Sequence, residues 1–296
     1  MTAPTTRRST TAVLAAPVLA LALATTLAAC ATPADPGDKD TPTSTTISSV
    51  DAAAPTLVDI GGRSLQLRCT GTGSPTVILE AGLGGDLHSW DRVQPALAER
   101  TRVCSYDRPG TGGSEPASGT RTTGEAVEDL HALLEAADVP SPYVLVGFSF
   151  GGLITQHYAS TFPDEVSGLV LVESLHPREF AVTEKHLTRR QIEEDHASAL
   201  DNTEGMDPFA SVEEIASAGP LPAVPLVVVS AGILEPWPPG WDSKLFDRLR
   251  DELQQDLARS VPNGRRVIAE HSRHDVPREQ PDVIVEAVNS VLDAQS

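Results

Sequence analysis

Gly147-Phe148-Ser149-Phe150-Gly151-Gly152 sets a serine among glycines. An apolar run, Tyr143-Val144-Leu145-Val146, leads in, and a helix-forming run, Leu153 to Phe162, leads out. A serine on such a strand-to-helix turn is held in a tight backbone, with its hydroxyl projecting from the sheet edge above a helix N-terminus. The hydroxyl can attack a carbonyl carbon once a base takes its proton and a carboxylate orients that base. The same six residues also describe a glycine-rich connection with no chemistry, so the rest of the chain must supply the partners.

Of the eight histidines, His274 fits the base best. It follows the last strand-like run and precedes the last helical one, and the order serine, acid, histidine is the one this turn uses. His271 reads as a strand cap. His88, His131, His157, His176, His186 and His196 read as surface or packing residues, and none stands at metal-ligand spacing, so no metal is expected. Attack on a carbonyl builds an oxyanion, which needs two preorganised N–H donors. The backbone N–H of Phe150 supplies one. The loop Ala81-Gly82-Leu83-Gly84-Gly85 offers the other, at Leu83. That loop lacks the G-x-G-x-x-G spacing of a dinucleotide site.

Periodicity and turn residues mark the elements that must hold these groups. Thr56 to Ile60, Gly61-Gly62 and Ser64 to Cys69 read as a hairpin. Further strands are expected at Thr76–Glu80, Arg102–Tyr106, Tyr143–Val146, Gly168–Glu173, Leu226–Ser230 and Arg266–Glu270. Helices are expected near Trp90 to Glu99, after the capping box Thr122-x-x-Glu125, and over Pro281 to Leu292. Alternation of this kind implies a mainly parallel sheet covered by helices on both faces. Between two strands lie about fifty mostly polar, helix-forming residues, 174–225, which suit a small helical cap inserted over a site.

The chain has 296 residues, 40% of them hydrophobic, enough for one large α/β domain and a tail. Its net charge of −19, with no basic run, argues against a nucleic-acid partner. Residues 1–29 read as a secretory signal: Arg7-Arg8, then an apolar stretch from Ala12 to Ala29. Leu27-Ala28-Ala29-Cys30 resembles a lipobox, which implies cleavage before Cys30, lipid on its sulfur and an exported protein held to the outer face of a bacterial membrane. Residues 30–55 then form a Thr/Pro/Ser/Asp-rich tether ahead of a catalytic domain at 56–296, with a coil span of roughly 25–30 Å. With Cys30 assigned to lipid, Cys69 and Cys104 remain, and an oxidising compartment allows a disulfide or two buried thiols.

The serine turn, the Gly82–Gly85 loop, Tyr106-Asp107-Arg108-Pro109-Gly110, and Ser272-Arg273-His274 with Glu279-Gln280-Pro281 resemble the α/β-hydrolase superfamily, over about Thr56 to Leu292. The resemblance implies an eight-stranded sheet in the order 1-2-4-3-5-6-7-8 with the second strand antiparallel. It makes the Cys69 and Cys104 strands neighbours, which favours the disulfide. It casts Asp107 and Arg108 as supports of a turn. Two positions depart from the family pattern: Ala81 and Phe148 stand where many relatives have histidine. The acid has two candidate places, Glu173 at the end of the sixth strand and Glu235 after the seventh. The implied reaction is hydrolysis of a carboxylic ester on Ser149 with no cofactor. The alternatives are an aminopeptidase or amidase, with Glu184, Glu193 and Glu194 receiving a substrate amine, and a non-catalytic surface binding lipoprotein. The oligomeric state is left open.

Overall fold

The computed structural model describes residues 54–295. The expected signal peptide, Cys30 and all but the end of the tether lie outside them.

Eight strands form one sheet: β1 (Thr56–Asp59), β2 (Ser64–Thr70), β3 (Thr76–Glu80), β4 (Val103–Tyr106), β5 (Tyr143–Phe148), β6 (Val166–Val172), β7 (Leu226–Ala231) and β8 (Arg265–Ala269). Their spatial order is β1-β2-β4-β3-β5-β6-β7-β8. β2 runs antiparallel to both neighbours and the remaining pairs are parallel. This is the order implied by the resemblance. The central strands are apolar at almost every position because both faces are covered, as parallel sheets require. Leu145, Leu169, Leu171 and Val228 face one core, shared with α2 (Thr123–Ala136) and α3 (Phe150–Thr161). Val144, Val146, Val170 and Val229 face the other, shared with α1 (Gln94–Ala98) and α9 (Pro281–Asp293). Side chains alternate between faces with the two-residue period of a strand.

Local signals explain most boundaries. Thr122 and Glu125 complete the reciprocal capping box that starts α2. The single helix expected from Trp90 to Glu99 is instead a short 3-10 turn, Leu87–Trp90, followed by α1. Pro95 lies in the first turn of α1, where its missing N–H costs nothing; further into a helix it would break the ladder.

Between β6 and β7 run α4 (Glu179–Thr183), α5 (Arg189–Leu200) and α6 (Pro208–Ser217). α6 packs on α2 and α3, α4 packs on α7 (Ser243–Ala258), and α5 buries none of its residues fully. The helix α7 was not foreseen from the sequence. It buries Phe246, Leu249, Leu253 and Leu257 as one stripe against β7 and β8. The short α8 (Val276–Glu279) links the β8 loop to α9.

Cys69 and Cys104 are register partners across β2 and β4 and are joined by a disulfide, which bears out the neighbourhood implied by the resemblance.

Candidate active site

Ser149 stands between β5 and α3 with φ 53° and ψ −120°, a backbone that non-glycine residues avoid. Hydrogen bonds hold it there. Its N–H donates to Val172 O at 2.9 Å, and its carbonyl accepts from Gly152 at 3.0 Å and Leu175 at 3.1 Å. The flanking glycines let α3 approach the sheet. A Cβ at Gly151 would lie 2.3 Å from Ala81 O, and one at Gly152 would lie 2.2 Å from Ser174 Oγ.

His274 arrives on the loop after β8. Its Nε2 is 3.0 Å from Ser149 Oγ and its Nδ1 is 3.4 Å from Glu173 Oε2. The imidazole packs beside the Phe148 ring, with centroids 5.0 Å apart. Phe148, one of the two positions at which the sequence departs from the pattern of the resemblance, thus forms a wall for the base.

Glu173 leaves the end of β6 as Ser149 leaves the end of β5, one strand over. Its φ is also positive, at 45°; among the described residues only four non-glycine positions share that property, and two of them meet here. Its Oε1 accepts from Ala231 N–H at 2.7 Å, and its Oε2 is ion-paired with Arg250 Nη2. Burial works to raise this carboxyl. The bond to His274, the Arg250 guanidinium and the Ala231 N–H outweigh it and hold the group below the usual glutamate range. Glu235, the other candidate acid, is exposed on the loop after β7. It lines the same cleft but makes no hydrogen bond to His274.

The structure also places the two candidate oxyanion donors. Phe150 opens α3, so its N–H has no acceptor within the helix. In the loop after β3, Gly82 lies against Phe148 and Ser149: a Cβ there would come within 3.3 Å of Ser149 Cβ. Arg108 takes the carbonyls of Ala81 and Gly82 at 2.6 and 2.7 Å. Gly84 N–H goes to Glu204 at 2.5 Å and Gly85 N–H to Gly82 O at 3.0 Å. Leu83 N–H is left without an acceptor among the described residues. Arg108 therefore does more than support its own turn: it holds the loop of Leu83 in place, together with Glu80 and Glu204. Asp107 does support the turn, accepting from Leu87 and Gly113 N–H at 2.7 and 2.8 Å.

A cleft of about 260 Å³ opens beside Ser149 and His274, walled by Glu173, Glu179, Glu235, Trp237, Arg250 and Gln254 among others. The three acids considered for amine recognition point elsewhere. Glu193 and Glu194 pair with Arg189 and Arg190 on exposed α5, and Glu184 bonds His196. Arg250, Gln254 and Glu204 were not singled out from the sequence. The signal for the first two was present: Asp242 caps a stripe of Phe246, Leu249, Leu253 and Leu257, which marks α7. Glu204 sits in an irregular loop, and no local pattern marks it.

A family model described as "alpha/beta hydrolase fold" matches residues 75–203. A putative carbamate hydrolase, RutD, of Azorhizobium caulinodans is 36% identical over 112 residues, which is 38% of this chain and 42% of that protein. The chain thus spans less than half of the curated relatives it matches. Among solved structures, a thermophilic esterase from Thermogutta terrifontis is similar with a TM-score of 0.56 at 21% identity, covering 82% of this chain and 99% of that one. The enol-lactonase from Burkholderia xenovorans LB400 gives 0.59 at 22%, covering 80% and 100%. Sheet order, serine turn and the family match over residues 75–203 together show an α/β-hydrolase fold.

Proposed function

We propose that this protein is a serine hydrolase that cleaves a carboxylic ester through an acyl-enzyme on Ser149. One observation carries the reading: His274 bridges Ser149 Oγ and Glu173 Oε2 through its two ring nitrogens. In this scheme Nε2 accepts the hydroxyl proton as Oγ bonds to the carbonyl carbon, and Glu173 offsets the charge that forms on the ring. The carbonyl oxygen, now an oxyanion, faces the N–H groups of Phe150 and Leu83. Collapse breaks the ester C–O bond, and the leaving alkoxide takes the proton from His274. A water, deprotonated by the same nitrogen, then releases the acid. The cleft carries three carboxylates against one guanidinium, which favours uncharged esters over anionic ones. The lipobox supports a place for this chemistry outside the cytoplasm, at a membrane surface reached through lipid on Cys30.

The test is labelling of the protein by a fluorophosphonate probe, beside Ser149→Ala and His274→Ala. Labelling of the wild type and of neither variant is expected. A folded wild type that does not label defeats the proposal. A panel of short acyl esters set against dipeptide amides separates an esterase from an amidase or aminopeptidase. For the anchor, incorporation of labelled palmitate that persists in Cys30→Ser rules out lipid on that sulfur.

A further inference from the structure

The wall of the cleft contains one guanidinium, and it is spent on the acid. Arg250 lies on α7, beside the buried stripe of Phe246, Leu249 and Leu253 that fixes the helix on the core, and Leu253 joins it in the cleft wall. Its Nη2 donates to Glu173 Oε2, the oxygen that also faces His274 Nδ1 at 3.4 Å. Ala231 N–H holds the other oxygen at 2.7 Å. A carboxylate gripped at both oxygens does not rotate. Without Arg250, its orientation would rest on Ala231 and on a long contact to a ring that is 46% exposed.

We propose that Arg250 is a positioning residue of the reaction centre: it fixes the charged Glu173 carboxylate with Oε2 opposite His274 Nδ1. The inference rests on the reading of Ser149, His274 and Glu173 as the catalytic group. Arg250 acts through Glu173, not on substrate. The surroundings make the guanidinium necessary. Glu179 on α4 and Glu235 on the loop after β7 are the other charged groups of the cleft wall, and both are acidic. On the histidine's own side, Arg273 is paired with Glu279 and Arg278 with Asp275. Arg250 is therefore the cation in contact with Glu173, and its removal leaves a buried carboxylate with the acid Glu179 nearby in the same wall. Burial and like charge both favour the protonated form, and a protonated Glu173 gives His274 no charge to lean on.

An ion pair that merely ties α7 to β6 would affect stability alone. The discriminating measurement is the pH dependence of the fluorophosphonate labelling rate in the wild type, Arg250→Gln and Arg250→Lys. Arg250→Gln keeps an N–H donor and loses the charge. Its acidic limb should move to higher pH by about one unit, with a maximal rate about tenfold lower. Arg250→Lys should restore most of both. An unmoved limb in Arg250→Gln, or a Lys variant displaced as far as the Gln variant, overturns the proposal. Should Arg250→Gln not fold, Arg250→Met, which keeps the apolar stem of the side chain on α7, carries the same expectation. A second readout needs no catalysis: the carbon-13 chemical shift of the Glu173 carboxyl, assigned with Glu173→Gln, should titrate at higher pH in Arg250→Gln. If the wild type labels at no pH, the hydrolase reading fails. If the Glu173 midpoint does not move, the inference about Arg250 fails by itself.

Discussion

Two arginines in this molecule hold buried glutamates, and they do so to different ends. Arg108 is 2% exposed and gives its five N–H groups to five acceptors: both oxygens of Glu204, one of Glu80, and the carbonyls of Ala81 and Gly82. Tyr106 closes the remaining Glu80 oxygen. Arg250 is 22% exposed, stands in the wall of the cleft and bonds one carboxylate, which it shares with an imidazole. The saturated cluster ties β3, β4 and the insertion between β6 and β7 into one support beneath the Leu83 loop. The unsaturated one leaves its carboxylate available to a base. A guanidinium with every donor matched fixes backbone; one with a single partner at a cleft can tune a neighbour. Charge balance differs as well. Arg108 faces two carboxylates, so one negative charge is left over, and burial pushes the Glu80 carboxyl up. Glu173 has its own cation and sits below the usual range.

The largest expected effect separates the two clusters by function. Glu173→Gln removes the charge opposite His274 and should lower the fluorophosphonate labelling rate by about 10³–10⁴, with the fold intact by circular dichroism. A loss under tenfold would mean that the cleft cluster is as structural as the buried one. Arg108→Met does the reverse. It strands two buried carboxylates and should cost about 3–5 kcal/mol in urea unfolding. A smaller cost would show that water reaches Glu80 and Glu204. The disulfide lies on the same supporting side, between β2 and the strand that leads into Arg108. It closes a loop across a sequence separation of 35, so Cys69→Ser with Cys104→Ser should lose about 3–4 kcal/mol while labelling persists in the folded fraction.

The two carboxylates also predict opposite slopes of stability against pH. The depressed carboxyl of Glu173 contributes stability above the unfolded glutamate range, about 4.3, and loses it as pH falls through its folded value. For Glu80 the folded value is raised: in the window just above about 4.3 the native state holds a proton that the unfolded chain has released, so stability falls as pH rises. Urea titrations at several pH values should show Glu173→Gln flattening the acid-side loss and Glu80→Gln flattening the loss on the other side. The same slope change from both would remove the distinction drawn between the clusters.

Legibility in the sequence divides along the same line. The strands themselves, the serine turn, the capping box of α2 and the place of His274 rest on local periodicity and spacing, which one sequence displays; the order of the strands in the sheet comes from the superfamily resemblance. The position of Glu173 beside His274 depends on where β6 ends in three dimensions and on a left-handed turn at a residue type that seldom adopts one. Two glutamates after neighbouring strands look alike until the loops are placed. Glu204 contributes through a contact 96 positions away from Arg108, and no periodicity encodes such a pairing. α7 was within reach, because its apolar stripe is regular. Overlooking it hid Arg250 as well.

The smallest effect belongs to Glu235 and tests the site from outside. Glu235 is exposed, stands after β7 where the superfamily resemblance offers an acid, and lines the cleft without reaching His274. Glu235→Gln removes one rim charge and no hydrogen bond to the base. Substitutions at such positions usually change free energies by no more than about 0.5 kcal/mol, so the labelling rate should stay within about threefold of wild type. The residual change should shrink as salt is added, since a rim charge acts through solvent. A loss beyond a hundredfold, insensitive to salt, would mean that the loop after β7 rearranges to bring Glu235 to the imidazole. Glu173 and Arg250 would then be an ion pair of the Arg108 kind, and the contrast between the two arginines would collapse.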